Sequence, residues 1–426
     1  MPKHAHTFHN FTPEEVWKWK WIEEKFDQVL KLYNYEEIRL PILQDYEVVQ
    51  QGITALMQEK EAKQVAERTI NLCQPDEKLS LLSLRPEGTI SILHHTARDT
   101  SPGMIHRYYY HGPMFRKDKD GGALEFYQLG VELLGSDSLL SENEIISLGM
   151  NILRELGLQD VSLKLNSFGC EDCRRKFFSD VNARLEEHKD AYCRDCYEEL
   201  VANPFANTNC HNETCLHDIQ HGPQIADYLC PKCKSNFQRI KKIQANLGHP
   251  YRVDKKLFKN FAYYNETVFD FMLVMDGKEL TIGGGGRYDY LSAKITGMPI
   301  PAVGFFLDLD LIFRIMDSRK LLLARERDFS VYICTQSPDM EMMLLQIAQD
   351  IHAQGMITVL STDNLSTEVE LANAKTQRCD IVIIIREDNI REGKLLLYKI
   401  AKEEQGYISL NHLSESLEIA RKTLIK

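Results

Sequence analysis

Two periods of apolar residues run along this chain, and the points where one gives way to the other mark its elements. Thr12-Pro13-Glu14-Glu15 supplies a cap, a proline at the first helical position and a capping-box glutamate. Val16, Trp19, Ile22, Phe26, Val29, Leu30 and Tyr33 follow at helical spacing, so a long amphipathic helix is expected to end near Asn34. YEEIRLPIL at 35–43 reads as a strand stopped by Pro41, since proline cannot donate to a ladder. Residues 59–67 are polar and charged, the composition of a loop. A strand ending at Leu84, a turn at Arg85-Pro86-Glu87-Gly88 and a helix opening at Thr89 come next. Residues 104–135, MIHRYYYHGPMFRKDKDGGALEFYQLGVELLG, predict two antiparallel strands around a charged, glycine-bearing turn at 117–122. A second hairpin turns at Asp276-Gly277 and leads to a glycine run at 283–286, which by itself reads as a bulge or turn. Beyond a charged boundary at 323–328 the pattern is DFSVYIC, a helix over 340–355, MITVLS, a helix over 367–375, DIVIII, LLLYKI and a last helix over 413–424. This order predicts a small α/β domain with a largely parallel sheet.

The second strand of the first hairpin carries candidate chemistry. Alternation puts Leu124, Phe126, Gln128, Gly130 and Glu132 on one face and Glu125, Tyr127, Leu129, Val131 and Leu133 on the other. Gln128 and Glu132 therefore point the same way from an apolar strand. A carboxylate there is costly to desolvate unless a cation or donors meet it. An amine-bearing ligand answers that need, and so does a structural ion pair with a Lys or Arg from elsewhere. Arg116, beside the loop, reads either as a phosphate or carboxylate clamp or as a solvated turn residue.

Composition narrows the class. The 426 residues exceed one ordinary domain, and two or three are expected. A net charge of −11 gives no global basic footprint for nucleic acid, although a local basic track is compatible with it. No apolar run reaches signal-peptide or membrane-spanning length, so a soluble cytoplasmic protein is expected. The 11 cysteines include four close pairs: Cys170 and Cys173, Cys193 and Cys196, Cys210 and Cys215, and Cys230 and Cys233. Eight such thiolates suit two structural zinc sites of four sulfurs each, and spacing leaves open which pairs combine. His211, His217 and His221 are alternative ligands.

LRPEGT at 84–89, Phe115-Arg116 followed by EFYQLGVELLG, and GGGRYD at 284–289 together resemble the class II histidyl-tRNA synthetase family. The resemblance implies an α+β fold: a class II aminoacyl-tRNA synthetase-like antiparallel sheet with helices, a zinc-type cysteine-rich insertion and a C-terminal α/β domain. The implied boundaries are 1–165 and 252–325 for the catalytic core, 166–251 for the insertion and 326–426 for an anticodon-binding-like domain. YEEIRLP resembles the class II motif with the dimer-interface proline, here Pro41, which implies a homodimer. Glu87, Thr89, Gln128, Glu132, Tyr263 and Tyr264 are the implied histidine-binding residues. Arg116 and Lys259 are the implied catalytic cations, and Arg116, Gly285, Gly286 and Arg287 the implied nucleotide contacts, with ATP and Mg²⁺ as cofactors wherever adenylation operates. A similar insertion, with Asn203-Pro204 between the cysteine pairs, occurs in some bacterial members, where it lies toward the tRNA acceptor arm.

The nucleotide side departs from the family pattern. Lys259 stands where the family has an arginine, Leu124 where an arginine follows the motif-2 loop, and Asp308-Leu309-Asp310-Leu311 where it has Gly-Leu-Glu-Arg. Losing one preorganised donor costs roughly 10²- to 10³-fold in rate. Arg314, one helical turn on, is the candidate substitute. Residues 363–374 hold Asp363, Glu368 and Glu370 and no Lys or Arg, where the family is basic. Three readings follow. The favoured one is a histidine-binding paralogue that adenylates weakly or not at all, of the ATP phosphoribosyltransferase regulatory-subunit type, with a partner enzyme. The second is a divergent, active histidine–tRNA ligase with tRNA as its partner, and the third a zinc-stabilised scaffold.

Overall fold

The structure, a computed structural model, describes residues 10–54, 69–72, 81–99, 104–117, 123–205, 210–255, 257, 264–322 and 328–424. The chain forms two compact units, Met1–Leu323 and Ala324–Lys426. The strands of the first unit are β1 (Glu36–Glu37), β2 (Leu43–Asp45), β3 (Asn71–Leu72), β4 (Leu82–Leu84), β5 (His106–Lys117), β6 (Ala123–Leu134), β7 (Ser162–Ser167), β8 (Tyr251–Val253), β9 (Asn265–Met275), β10 (Lys278–Arg287) and β11 (Ala302–Asp308). Eight of them make one sheet in the order β1-β5-β6-β11-β10-β9-β7-β8, and β2-β4-β3 make a small second sheet. The six central strands of the large sheet are antiparallel, while β1 on β5 and β8 on β7 pair parallel at its edges.

The first helix, Pro13–Leu32, starts at a complete capping box. Thr12 Oγ1 accepts from the Glu15 N–H at 3.3 Å, and Glu15 Oε2 accepts from the Thr12 N–H at 2.8 Å. Its apolar stripe, Trp19, Ile22, Phe26, Val29 and Leu30, joins Leu129, Val131 and Leu133 of β6 and the helices Leu139–Glu155 and Leu309–Ser318 in the main core. The other face of the sheet holds a second core that includes Tyr110, Met114, Phe168, Tyr264, Tyr288 and Leu291. The two faces expected of β6 are thus separated as alternation requires. The Asp276-Gly277 loop has φ of 51° and 72°, and Met275 pairs with Lys278, the geometry of a type I′ hairpin turn.

Two local expectations change. YEEIRLPIL supplies only the short pairings of β1 and β2. The glycine run makes no turn but lies inside β10, bounded by register shifts between Thr281 and Gly283 and between Gly286 and Arg287, so the bulge half of the expectation stands and the turn does not. A Cβ on Gly285 would overlap the carbonyl of Gly304 on the neighbouring strand, so the glycine serves close strand approach.

Between β7 and β8 the described residues form four α-helices, Glu171–Glu187, Arg194–Ala202, Glu213–Gln220 and Pro231–Asn246. The first two, with Ile225, build a small core from Phe177, Val181, Leu185 and Leu200. The last packs on the main core through Phe237 and Ile240.

The second unit has five strands, β12 (Ser330–Thr335), β13 (Ile357–Leu360), β14 (Ile381–Ile385), β15 (Lys394–Lys399) and β16 (Glu404–Ser409), in the order β13-β12-β14-β15-β16. Three pair parallel and the last two antiparallel, so the sheet is mixed rather than largely parallel. EQGYIS in β16 is mostly exposed and polar over 404–406, and its apolar pair Tyr407-Ile408 is too short to mark a strand. The helices Glu341–His352 and Leu413–Leu424 cover one face, and Thr367–Thr376 the other. Among the described residues no helix is long and apolar enough to cross a membrane.

Candidate functional site

The turn that follows β4 is held by Arg85. Its Nε donates to the Pro113 carbonyl at 2.8 Å and its Nη1 to the Leu40 carbonyl at 2.7 Å. Glu87 is thereby set at the start of the helix Thr89–Asp99, where its carboxylate accepts from the N–H groups of Thr89 (2.7 Å) and Ile90 (2.9 Å), donors a helix end otherwise leaves unpaired. The Thr89 hydroxyl donates to Glu132 Oε1 at 2.8 Å, and the Tyr288 hydroxyl donates to Glu132 Oε2. Glu132 is 2% exposed and Glu87 5%. Among the described residues neither carboxylate forms an ion pair, so no described Lys or Arg accounts for the burial of Glu132.

The floor around Glu132 is glycine. Gly130 faces the ring of Tyr110, and a Cβ there would overlap it; Gly304, opposite Glu132 on β11, would overlap Glu132 Oε2 if it carried one. Gly286 lies against Tyr264, whose ring meets Tyr288 edge-on at 6.3 Å. Gln128 lies between Gly112 of β5 and Asp308 of β11 in the sheet register. It is 6% exposed, and its amide has no hydrogen-bond partner among the described residues.

Burial pushes Glu132 up to about 8, with the charge of Glu87 adding and the Tyr288 and Thr89 hydrogen bonds opposing. Burial also raises Glu87, against its two backbone N–H donors, the Thr89 side chain and the charge of Arg116. Two apposed acids with no ion-pair partner among the described residues suit a positively charged amine.

The structure thus brings together Glu87, Thr89, Gln128, Glu132, Tyr264 and Gly286. Tyr263 and Lys259 lie outside the described residues, as does the side chain of Leu124. Reasoning from sequence missed Arg85, Tyr110 and Tyr288. A tyrosine opposite a strand glycine, as Tyr110 is opposite Gly130 in the β5–β6 register, was the available signal for one of them.

Arg116 sits beside the same turn, its Nε donating to the Pro86 carbonyl at 2.8 Å and its guanidinium 4.9 Å from the ring centre of Phe126. Arg287, expected as a nucleotide contact, is instead 2% exposed and held by the carbonyls of Ser136 and Ser138 (3.1 and 3.2 Å), Asp289 (3.0 Å) and Glu142 (3.5 Å). A guanidinium so fully used in burial braces strands and turns. Gly285 also serves the sheet, as described above.

At the end of β11, Asp308 caps the helix Leu309–Ser318 by accepting from the Leu311 N–H at 2.9 Å. Burial raises its carboxyl, against that hydrogen bond and the charges of Arg314 and Arg116. Asp310 accepts from the Tyr127 N–H at 2.6 Å. Leu311 packs against the main core, and Arg314 is exposed.

The eight paired cysteines form two sets, Cys170, Cys173, Cys230 and Cys233, and Cys193, Cys196, Cys210 and Cys215. Within each the sulfurs all lie within 4.8 Å of one another. Separations of 3.6, 3.7 and 3.9 Å match the roughly 3.8 Å edge of a tetrahedron with metal–sulfur bonds of about 2.3 Å. Each set fits one tetrahedral ion. His211, His217 and His221 join neither set; the His217 and His221 rings stack on each other at 4.1 Å. A cavity of about 360 Å³ lies among the insertion helices, lined by Phe177, Leu185, Tyr192, Phe205 and their neighbours, and does not include the Glu87–Glu132 cluster.

The family model for histidyl-tRNA synthetase matches residues 7–312. The chain belongs to the histidyl-tRNA synthetase family. The histidine–tRNA ligase of Halothermothrix orenii is 31% identical over 405 residues, covering 94% of this chain and 95% of that one. That of Caldicellulosiruptor bescii is 30% identical over 416 residues, covering 95% and 96%. The apo histidyl-tRNA synthetase of S. aureus superposes with a TM-score of 0.78 at 22% identity over all of both chains. An ATP phosphoribosyltransferase regulatory subunit/histidyl-tRNA synthetase from Bacillus halodurans C superposes at 0.63 and 19% identity, covering 90% of this chain and 98% of that one. Both structures share the class II synthetase-like fold.

Proposed function

We propose that this histidyl-tRNA synthetase family member binds L-histidine between Glu87, Thr89, Gln128, Glu132 and the tyrosines at 263 and 264, and adenylates it weakly or not at all. The two buried acids receive the α-ammonium, and Gln128 supplies a neutral amide beside it. The observation that carries the reading is the distribution of charge at the nucleotide end. Attack of a carboxylate on an α-phosphate crowds negative charge that fixed cations must offset. Asp308 and Asp310 occupy the helix start there, Leu311 is turned into the core, and Arg287 is committed to Ser136, Ser138, Asp289 and Glu142. Of the cations the family pattern calls for, Arg116 is kept and Lys259 lacks a planar, bidentate fork; Arg314, whose charge reaches Asp308, stands one helical turn along as the substitute.

Two zinc ions fit the tetrathiolate sets, and with all four positions filled by protein each would be structural. The insertion 166–251, a homodimer through the region of Pro41, and a partner enzyme of the ATP phosphoribosyltransferase type complete this reading. A second reading, an active ligase for tRNA-His using ATP and Mg²⁺, is favoured by 31% identity across nearly the whole chain to the Halothermothrix orenii ligase. Histidine-dependent ATP–pyrophosphate exchange separates the two. The proposal expects exchange at least roughly 10³-fold below an ordinary synthetase, and a normal rate restores the ligase. L-Histidine at millimolar concentration is expected to raise the melting temperature, because a ligand of the folded state stabilises it.

A further inference from the structure

The first cysteine set is joined to the amino-acid pocket through one side chain. Cys170 ends the segment that leaves β7 and caps the helix Glu171–Glu187, and Arg174 lies in the first turns of that helix. Arg174 Nη1 reaches the Tyr264 carbonyl at 3.4 Å, and its guanidinium lies 5.4 Å from the ring centre of Tyr290. Its Nε is buried without a partner among the described residues. The backbone closes the same loop, since the Phe168 N–H donates to the Glu266 carbonyl at 2.7 Å and the Glu266 N–H to the Gly169 carbonyl at 3.1 Å. Asn265, between Tyr264 and Glu266, accepts from the Asp289 N–H at 2.8 Å, and so joins the residues beside Tyr264 and Tyr290. Gly169, at φ +65°, leaves no room for a Cβ against Cys173. Both sets lie within 166–251; the segment of the second reaches the pocket-side core through the ring of Phe205, stacked on Phe168 at 4.4 Å, and no polar contact from it to Tyr264 is seen among the described residues.

We propose that Arg174 is a positioning residue through which metal in the Cys170, Cys173, Cys230 and Cys233 set tunes the affinity of the pocket for histidine, while the second set does not. Four thiolates around one dication keep a net negative charge beside the guanidinium and fix the turn that carries it. The guanidinium in turn fixes the backbone of Tyr264, which frames the ligand. Loss of that metal frees the turn and moves an aromatic wall of the pocket. The inference rests on histidine being the ligand.

Coupling between two sites is reciprocal, so bound histidine must also hold the metal. The experiment follows zinc transfer from the full-length, zinc-loaded protein to a chromogenic chelator, with and without L-histidine. Calorimetry gives histidine affinity in the same samples. In the wild type, histidine is expected to lower the equilibrium transfer of one of two zinc ions to the chelator by roughly tenfold. Arg174→Gln is expected to keep both zinc ions, bind histidine roughly tenfold more weakly and lose the effect of histidine on transfer. Cys210→Ser is expected to lose one zinc with histidine affinity unchanged. Histidine binding to the wild type with equal zinc transfer in both conditions, or an Arg174→Gln protein of wild-type affinity, overturns the inference alone. A wild type whose melting temperature histidine does not raise overturns the histidine reading and this inference with it.

Discussion

With no cation against it among the described residues, burial and the charge of Glu87 push the Glu132 carboxyl up to about 8, which favours its protonated form at neutral pH. An incoming ammonium needs the carboxylate, so the pocket must release a proton to bind. Histidine affinity, measured by calorimetry, is therefore expected to rise from pH 6 to pH 8, approaching about tenfold per unit where a single proton is released. Glu132→Gln is expected to flatten that profile and weaken binding on the order of 10- to 100-fold, the worth of a charged hydrogen bond of roughly 1.5–3 kcal/mol. The stability of the unliganded protein moves in the opposite sense. A carboxyl raised above its unfolded value contributes stability that is present below about pH 4.5 and lost as pH climbs through 8. The melting temperature without ligand is thus expected to fall between pH 5 and 8.5, and Glu132→Gln to remove part of that fall. A flat histidine profile in the wild type would exclude the charge pairing. Arg287 teaches a different lesson. An arginine in a glycine-rich motif reads as a ligand contact, and only the tertiary structure reveals that Ser136, Ser138, Asp289 and Glu142 already use it.

Elements that close locally could be read in advance. The capping box at Thr12, the type I′ loop at Asp276-Gly277 and the alternation of β6 each depend on residues within one turn or one strand, and each is present. Thr12→Ala is expected to lower stability by about 1 kcal/mol in urea unfolding, the worth of such a cap. What required the whole sheet was less accessible. Gly304 looks like any strand glycine until register sets it opposite Glu132, where a Cβ would overlap Oε2 and approach the Val131 carbonyl at 2.6 Å. Gly304→Ala must displace that carboxylate or part β11 from β6. The expected result in thermal melts is a lower midpoint with no further rise on adding histidine, and a wild-type response to histidine would contradict this account of the pocket floor. The cysteine pairing was equally hidden, because Cys170 and Cys173 meet Cys230 and Cys233 only after three helices have folded back. β16 escaped notice for another reason: an edge strand that opens on exposed Glu404, Gln405 and Gly406 and offers only Ile408 to the core has too little alternation to announce it.

On the scale of the whole molecule, the insertion is the part least able to hold itself. Its own core of Phe177, Val181, Leu185, Leu200 and Ile225 serves helices spread between 171 and 220. Domains below roughly 70–80 residues rarely reach adequate stability from one such core, and disulfides or metals supply the difference. No disulfide joins these cysteines, all eight of which are free thiols. Metal binding there is folding free energy, because the preformed site does not exist in the unfolded segment. The helix Pro231–Asn246 is in a different position: Phe237 and Ile240 sit in the main core, and Gln244 Nε2 donates to Asn143 Oδ1 at 2.8 Å. The unit Ala324–Lys426 has its own cores, built on strands such as β12 and β14 whose side chains are wholly buried. Chelation is therefore expected to open one region only. Limited proteolysis read by mass spectrometry should gain cleavage sites within 171–220 when zinc is stripped, with 231–246 and 328–424 as protected as before. Cleavage spreading equally into 231–246 would mean that the metals, rather than Phe237 and Ile240, anchor that helix. An unchanged cleavage pattern with both metals gone would mean that the thiolate sets carry no folding energy at all.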